Sequence, residues 1–531
     1  MIEIQGFLLL FLAFFIIFLV RLIKEHRQRA KIARTLKYVI ASGAGFCALN
    51  LYWLIPTLTA RGVILSQLSQ ADVILFAPRA TSRIMFDVAS MYGFWRGGYL
   101  SPQDMLPVWW LPFLFIMFLV VYGFVGALES YSNRWIATSF GILAVISFLL
   151  AVGSATYLTR PLFEWLWIHA VFFRGFRDSH KFVALLCLCY VYLGGLGVNA
   201  LANVLRTQTR KIVRVALMAL LAIAVLTPLG YSFTIFGFYG QLGVTDYPLE
   251  WYQVNDYLNQ DKGDFNVLFL PWHLYMDFNW LPNSDKRLTN PARQFFDKPI
   301  IAGDNIEVTG IYSQSTNPIS KYVEFLLING SRLNNLGELL APLNVKYVIL
   351  VHEVDYKLYD FLYQQEDLRV EMEKPGITLL KNEHPTARVY GVDNVIHISS
   401  LEEYLELSKE QDVMTHLYIV GGGQGDDGSG QMEKLSFVEK NPALYLIGGT
   451  SHNYVIFTVP QNVSTQYWEY DDKKPVSYNL GFMPAFASTA DGGEIAYTRY
   501  YRTYLPCYVV SVLTLGLMIY LYFCPPKRSS Q

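Results

Sequence analysis

Long apolar runs separated by polar segments occupy the first half of the chain, and one more lies near its C-terminus. A helix needs about 20 apolar residues to cross the hydrocarbon core of a bilayer. The runs that reach or approach this length cover 6–20 with the flanking Leu22 and Ile23, 38–58, 106–128, 135–157, 182–205, 215–236 and 504–523. The pattern predicts an α-helical membrane bundle of about seven spans.

Basic residues mark one side of this bundle. Segment 21–37 carries seven Lys and Arg side chains against the single acid Glu25, and the loop 206–214 and the C-terminal tail are also basic. Cytoplasmic loops carry an excess of Lys and Arg. The N-terminus of the chain is then expected outside the cytoplasm. This position predicts that the chain is the C-terminal part of a longer protein, with an odd number of spans upstream. The alternative is a seven-span protein oriented by its basic flank.

Between the last two spans the pattern becomes that of a water-soluble region. Buried strands are predicted at 265–270 and 345–351, and helices at 321–328 and 356–365, an alternation typical of an α/β domain. Ser400 opens a capping box before a further helix. Short strand runs between Gly, Pro and Asn turns after residue 434 indicate a small β-sandwich.

These patterns give a domain organisation with the large soluble region extracytoplasmic. The predicted parts are a bundle at 1–236 with amphipathic outside loops at 59–105 and 158–181, an α/β domain at 237–420, a Gly-rich linker at 421–433, a β-sandwich-like domain at 434–502, and a last span with its cytoplasmic tail at 503–531.

Composition supports a membrane protein with a sizeable soluble part. Hydrophobic residues make up 53% and charged residues 16%, with a mean hydropathy of +0.27. The 42 basic and 43 acidic residues give a net charge of -1, so nothing indicates a nucleic-acid partner. None of the five cysteines lies between Cys189 and Cys507, so the soluble region must be held by its own core instead of disulfides.

The Gly-rich segment contains a literal G-x-G-x-x-G at Gly423, Gly425 and Gly428. No helix is predicted after it, and Asp426 with Asp427 would repel a pyrophosphate. We interpret the segment as a linker, with a carboxylate metal site as the alternative. Neither His169 nor His180 has a metal partner at ligand spacing. The sequence predicts no metal site and no cofactor.

The main candidate site lies where the fifth span begins. Segment 172–182 carries Arg174, Arg177, Asp178, His180 and Lys181 among four phenylalanines. Arg and Lys keep their charged ends in water there while their stems lie along hydrocarbon. Such a cluster predicts binding of a lipid phosphate by Arg174, Arg177, His180 and Lys181. Ordinary interfacial anchoring is the alternative.

Other polar residues of the membrane half receive structural interpretations. The outside acids are predicted to be solvated surface charges, with a catalytic base as the alternative; they are Asp72, Asp87, Asp104 and Glu164. Asn50 is predicted to make an interhelical hydrogen bond.

Four short motifs carry a family resemblance. The motifs are Asn50-Leu-Tyr-Trp-Leu-Ile-Pro56, Phe176-Arg-Asp-Ser-His-Lys-Phe182, Leu343-Asn-Val-Lys-Tyr-Val348 and Asn479-Leu-Gly-Phe482. Together the chain resembles YfhO-like and arabinofuranosyltransferase-like membrane proteins of the GT-C class of glycosyltransferases. The resemblance implies polyprenyl-phosphate sugars as donors. It also implies a catalytic acid in the first outside loop, upstream of this sequence, and a proline where this chain has Ser179, so no catalytic residue is transferred.

Two functions remain open. One is an integral membrane glycosyltransferase, or its C-terminal part, that transfers a sugar from a polyprenyl-phosphate carrier to an envelope glycan or glycoprotein. Its partners would be membrane lipid, the polyprenyl-phosphate sugar and the glycan acceptor. The alternative is a non-catalytic membrane protein for glycan binding or envelope assembly.

Overall fold

The chain divides into two compact units. The structure is a computed structural model that describes residues 4–59, 68–79, 81–97, 100–130, 133–231, 244–281, 287–308, 311–422, 430–461 and 463–524. Unit 1 comprises Met1–Ser42 and Leu68–Val244, and unit 2 comprises Gly43–Gln67 and Thr245–Gln531. Each unit is built around its own hydrophobic clusters.

The described residues contain seven helices that are long and apolar enough to cross a membrane, which confirms the predicted number. Their bounds are Gln5–Glu25, Arg29–Thr59, Trp110–Glu129, Arg134–Ala155, Ser179–Thr207, Lys211–Gly230 and Tyr500–Phe523. We call them the first to seventh spans. The last five residues of the predicted sixth span, 232–236, lie outside the described residues.

Short helices lie in the segments of unit 1 that are predicted to be outside. They are Gln70–Leu75, Ile84–Ala89, Pro102–Met105 and Arg160–His169. The first three lie within the predicted loop 59–105 and the last lies within the predicted loop 158–181. Residues 60–67 of the first loop lie outside the described residues.

The third and fifth spans approach each other very closely within unit 1. A Cβ atom added at Gly123 would lie 2.0 Å from the Leu193 carbonyl oxygen, and one added at Gly197 would lie 2.1 Å from the Leu119 carbonyl oxygen. Small residues at such a crossing let two helix backbones pack together in a membrane. The crossing holds the span that carries the cationic cluster against the rest of unit 1.

Asn50 does not make the predicted interhelical bond. Its Nδ2 donates to the Phe46 carbonyl at 2.8 Å, and its Oδ1 accepts from Trp53 Nε1 at 2.7 Å. Both partners lie on the same helix, because residues three and four apart are neighbours on a helix surface. The contact of this helix with the seventh span uses Ser511 instead, whose Oγ donates to the Ala48 carbonyl at 3.1 Å.

The remainder of unit 2 is rich in β-structure. Its helices are Leu249–Gln260, Ala292–Phe295, Pro318–Asn329, Leu336–Leu340 and Leu401–Leu407. Its strands are β1 Asn266–Leu270, β2 Tyr275–Met276, β3 Leu288–Thr289, β4 Ile300–Ile301, β5 Ile306–Val308, β6 Ile311–Ser313, β7 Val345–Val351, β8 Leu368–Lys374, β9 Ile377–Asn382, β10 Val389–Val392, β11 Asn394–Ile398, β12 His416–Val420, β13 Glu433–Lys434, β14 Phe437–Asn441, β15 Leu444–Ile447, β16 Tyr454–Phe457, β17 Trp468–Tyr470, β18 Ser477–Asn479, β19 Met483–Ala487 and β20 Gly493–Tyr497.

A mixed five-stranded sheet forms the α/β part, in the order β4-β1-β7-β9-β8. β1 runs parallel to both β4 and β7, whereas β9 is antiparallel to β7 and β8. Alternate side chains enter two separate clusters: Leu268 and Leu350 enter one, and Phe269 and Ile349 enter the other. Both faces of this sheet are covered by apolar clusters, which explains why the sequences of its central strands are continuous apolar runs.

A seven-stranded sheet, in the order β11-β12-β18-β19-β16-β10-β13, joins strands from both sides of the Gly-rich segment. A four-stranded antiparallel sheet, β14-β15-β20-β17, lies beside it and shares its core through Phe457, Trp468 and Ile495. Residues 237–420 and 434–502 therefore contribute to one hydrophobic cluster. Residues 423–429, which make up most of the predicted linker, lie outside the described residues.

Candidate lipid-phosphate site

The cationic cluster lies on two short 3₁₀ helices, Val171–Phe176 and Ser179–Phe182, immediately before the long helix Val183–Thr207. Phenylalanines hold this segment to the bundle. The ring centroids of Phe176 and Phe182 are 4.8 Å apart, and both side chains are buried. Packed aromatic pairs add stability beyond their buried area. The charged side chains are thus carried on an anchored segment at the end of a span.

Arg177 has the most elaborate environment of the four predicted residues. Its Nη1 lies 3.2 Å from Asp72 Oδ1, and its guanidinium carbon lies 4.2 Å from the centre of the Phe76 ring. The Arg177 side chain is 22% exposed and that of Asp72 is 1% exposed. A guanidinium has five N–H donors, so one contact with Asp72 leaves others for a further anion.

Lys181 and Gln5 connect the cluster to the first span. Lys181 Nζ donates to Gln5 Oε1, and Gln5 Nε2 donates to the Gly175 carbonyl at 2.6 Å. The one amide therefore bonds both 3₁₀ helices of the cluster. The ammonium group is held near the N-terminus of the first span by a neutral hydrogen-bond partner.

Arg174 and His180 contact backbone carbonyl groups. Arg174 Nε lies 3.4 Å from the Trp167 oxygen, and His180 Nε2 lies 3.0 Å from the Tyr92 oxygen. Among the described contacts, the four cationic side chains thus have four different principal partners. The structure brings the residues onto one half-buried segment, but their hydrogen bonds within the described part of the chain run to other elements and do not join them to one another.

Buried polar contacts fix the turn between Arg177 and the span. Ser179 Oγ donates to the Ala151 carbonyl at 3.0 Å, and a Cβ atom at Gly153, whose φ is +54°, would lie 2.4 Å from that hydroxyl. Asp178 Oδ1 accepts from the His180 backbone N–H at 3.2 Å. Burial raises the pKa of Asp178, although the charges of His180 and Lys181 oppose the shift. Ser179 therefore has a buried structural partner in the fourth span.

The prediction for two of the outside acids is wrong. Asp72 and Asp87 are only 1% and 2% exposed. Asp72 accepts from the Ser69 backbone N–H at 2.9 Å as part of a capping box, and Asp87 accepts from Thr81 Oγ1 at 2.6 Å. Buried carboxylates need such partners. The sequence offered one signal for Asp72, since a serine three residues before an acid is a capping-box pattern.

An apolar cavity of about 470 Å³ lies between the third, fourth and fifth spans. Its lining residues are Val120, Val121, Phe124, Thr138, Gly141, Ile142, Val145, Ile146 and Leu193. The Thr138 hydroxyl already donates to the Arg134 carbonyl at 2.8 Å within its own helix. The cavity therefore presents hydrocarbon to its contents and suits a lipid chain.

Comparisons with known proteins give a distant structural likeness. No protein-family model and no curated protein matches the chain. A cryo-EM structure of the arabinofuranosyltransferase AftD from Mycobacteria matches with 11% identity and a TM-score of 0.41, over 70% of this chain and 27% of that chain. A mutant of the same enzyme matches with 10% identity and a TM-score of 0.39, over 85% of this chain and 43% of that one. At this sequence identity and TM-score, the likeness assigns no role to any residue of this chain. The chain spans less than half of the length of the structures it matches, and they are of the kind that the sequence motifs resemble.

Proposed function

We propose that this chain acts in a membrane glycosyltransferase that transfers a sugar from a polyprenyl-phosphate carrier to an envelope glycan or glycoprotein. Arg174, Arg177, His180 and Lys181 hold the carrier phosphate. The observation that carries the proposal is their position: four half-buried cationic side chains lie on consecutive 3₁₀ helices where an apolar span begins. A lipid phosphate has its charge at this depth and its chain in the adjacent hydrocarbon.

Arg177 is the residue from which we expect the largest contribution. Stacking on Phe76 and one contact with Asp72 fix the orientation of the guanidinium before any ligand arrives. A fixed, planar fork of donors suits a phosphate, because two parallel hydrogen bonds can form without loss of side-chain freedom. The negative charge of Asp72 also reduces the net positive charge of the site. Replacing Asp72 with a neutral residue is therefore expected to strengthen anion binding.

The soluble part of unit 2 is proposed to be extracytoplasmic. The basic segments 21–37 and 206–214 and the C-terminal tail fall on one side of the predicted spans, and the soluble region falls on the other. In this orientation the acceptor glycan would meet the carrier phosphate outside the cytoplasm.

The test measures the affinity of the full chain, in detergent, for a polyprenyl phosphate. We expect Arg177→Gln to weaken binding about tenfold to a hundredfold, because a hydrogen bond to a charged group is worth about 1.5–3 kcal/mol. Arg210→Gln, on the opposite side of the spans, is the matched control and should bind normally. Phosphatidylglycerol serves as a second ligand that shares the phosphate but lacks the isoprenoid chain.

A second pair of variants separates binding from folding. Arg177→Gln alone leaves the buried Asp72 carboxylate without its charge partner, which can destabilise the protein. We therefore compare Asp72→Asn with the double variant Asp72→Asn/Arg177→Gln. Asp72→Asn should keep or strengthen binding, and the double variant should lose it. Equal affinities in these two variants would refute the phosphate site and favour interfacial anchoring.

The alternative function as a glycan-binding protein receives less support from the β-rich part. Carbohydrate-binding surfaces present exposed aromatic rings, whereas in the predicted sandwich-like segment the aromatic side chains Tyr445, Trp468, Tyr470 and Phe486 are at most 3% exposed. Tyr312 on β6 is 62% exposed, but it lies outside that segment. These rings stabilise the core that the sheets share. The glycosyltransferase therefore remains the proposed function.

A further inference from the structure

Three potential metal ligands converge in unit 2, far from the cationic cluster in sequence. Glu338 lies on the helix Leu336–Leu340, His384 follows β9, and Asp412 precedes the 3₁₀ helix Val413–Thr415. One ligand atom from each lies within 4.8 Å of the others. Since they come from three separate segments, only the tertiary fold brings them together.

The His384 ring is oriented for metal binding. Its Nδ1 lies 3.1 Å from the Pro385 carbonyl oxygen, and its Nε2 lies 3.4 Å from Asp412 Oδ1. When Nδ1 carries the proton and donates to the carbonyl, Nε2 keeps its lone pair for a cation. Metal-binding histidines are commonly held in this way, by a hydrogen bond from the ring nitrogen that does not bind the metal. The backbone N–H of His384 also donates to Asn382 Oδ1 at 2.9 Å, which fixes the turn.

Both carboxylates are positioned by neighbouring donors. Glu338 accepts from the Val413 backbone N–H at 3.0 Å and from Asn335 Nδ2, also at 3.0 Å. Asp412 Oδ1 accepts from the Met414 backbone N–H at 2.8 Å. A carboxylate has about four lone-pair positions, so these bonds leave some available for a metal. The three ligands are therefore preorganised by the protein itself.

The local charge favours a cation. A third carboxylate, Asp367, accepts from the Glu338 backbone N–H at 2.6 Å, while its Oδ1 is buried and has no hydrogen-bond partner among the described residues. Three carboxylates around one imidazole leave an excess of negative charge that a divalent cation would offset.

We propose that Glu338, His384 and Asp412 form a binding site for a divalent transition-metal ion, with Zn²⁺ as the best match. One imidazole nitrogen and two carboxylate oxygens suit Zn²⁺, which often keeps a water molecule in its fourth position. Two ligand atoms of a tetrahedral zinc lie about 3.4 Å apart. The distance between His384 Nε2 and Asp412 Oδ1 is also 3.4 Å. Ca²⁺ requires about six to eight oxygen ligands and fits three ligands poorly. The half-exposed Asp412 side chain leaves the fourth position open to solvent.

The experiment titrates metal into the full chain in detergent after treatment with a chelator. ZnCl₂, MnCl₂ and CaCl₂ are compared by isothermal titration calorimetry, and retained metal is counted by mass spectrometry after gel filtration. We expect one tightly bound Zn²⁺ per chain and a rise in the thermal unfolding temperature, because a ligand that binds the folded state stabilises it. Calcium should produce neither effect.

His384→Gln and Asp412→Asn should each lower Zn²⁺ affinity at least tenfold. His452→Gln is the matched control, because His452 also faces two carboxylates, Asp393 at 2.8 Å and Glu433 at 3.8 Å, outside the proposed site. If His384→Gln does not fold, the exposed Asp412→Asn variant decides. Unchanged zinc affinity in Asp412→Asn, an equal loss in His452→Gln, or a response to calcium alone would overturn the proposal.

Discussion

The stability of one part of the α/β region should depend on pH through His273. This residue follows β1, and its imidazole lies between two carboxylates: Nδ1 bonds Glu307 and Nε2 lies 3.0 Å from Asp355 Oδ1. Glu307 belongs to β5, and Asp355 follows β7. A protonated His273 therefore ties the β5–β6 pair to the carboxyl edge of the parallel strands. His273→Gln removes this charge and keeps a polar side chain.

The size of the effect follows from the pKa of His273. Burial lowers this pKa, but the hydrogen bonds and charges of Asp355 and Glu307 outweigh burial and raise it from 6.5 to about 9. One pKa unit corresponds to about 1.4 kcal/mol, so protonation contributes about 3 kcal/mol. Because the pKa is raised in the folded state, the stabilisation is full below about pH 6.5 and is lost as pH rises through about 9.

Hydrogen–deuterium exchange of the full chain in detergent measures this loss locally. After correction for intrinsic exchange rates, protection of peptides that cover β5 should fall by roughly two orders of magnitude between pH 6 and pH 10. In His273→Gln, protection should already be low at pH 6 and should change little with pH. The control is His352→Gln, since His352 bonds the Pro375 carbonyl and the Thr378 hydroxyl instead of carboxylates. A wild-type profile that matches that of His273→Gln would refute the reasoning.

Two further predictions concern the membrane half. Gly123→Leu should reduce stability in detergent by about 1–3 kcal/mol or prevent folding, because the new side chain meets the Leu193 carbonyl. Gly126→Leu is the control and should be tolerated, because no atom lies within 4 Å of a Cβ added at Gly126. In a cysteine-free background, Glu402→Cys should react with an impermeant thiol reagent in intact cells, and Lys211→Cys should react only after permeabilisation; the reverse result would contradict the proposed orientation.

Local signals explain which elements were predictable. The strand at 345–351 matches its predicted bounds, because its continuous apolar residues are visible within a few positions of the sequence. The spans were predictable for the same reason, since bilayer thickness sets their length. The predicted N-cap at Ser400 is confirmed, with its side chain accepting from the Glu403 N–H at 3.4 Å. The reciprocal bond of the predicted capping box is not formed, because Glu403 accepts from the Ser399 N–H at 2.7 Å instead of from that of Ser400.

The missed features depend on contacts between distant residues. The cationic segment could be recognised from its composition, but the pairing of Arg177 with Asp72 joins residues more than one hundred positions apart. The burial of Asp87 depends on Thr81 and Gln103 around it, and its own helix gives no sign of this. Glu338, His384 and Asp412 converge only because β9 and the turn before Val413 meet. No spacing rule along the chain describes such a site.

The seven-stranded sheet also sets an order for biosynthesis. β10 is made early, yet both of its neighbours, β13 and β16, are made later, and β12 must wait for β18. At synthesis rates of about 5–20 residues per second, β10 remains without neighbours for several seconds until β13 and β16 are made, and β19 completes the sheet later. Strands with unpaired edges are prone to associate with other chains. Ribosome pausing between residues 392 and 487 would therefore favour aggregation, whereas pausing after residue 487 would leave this sheet already closed.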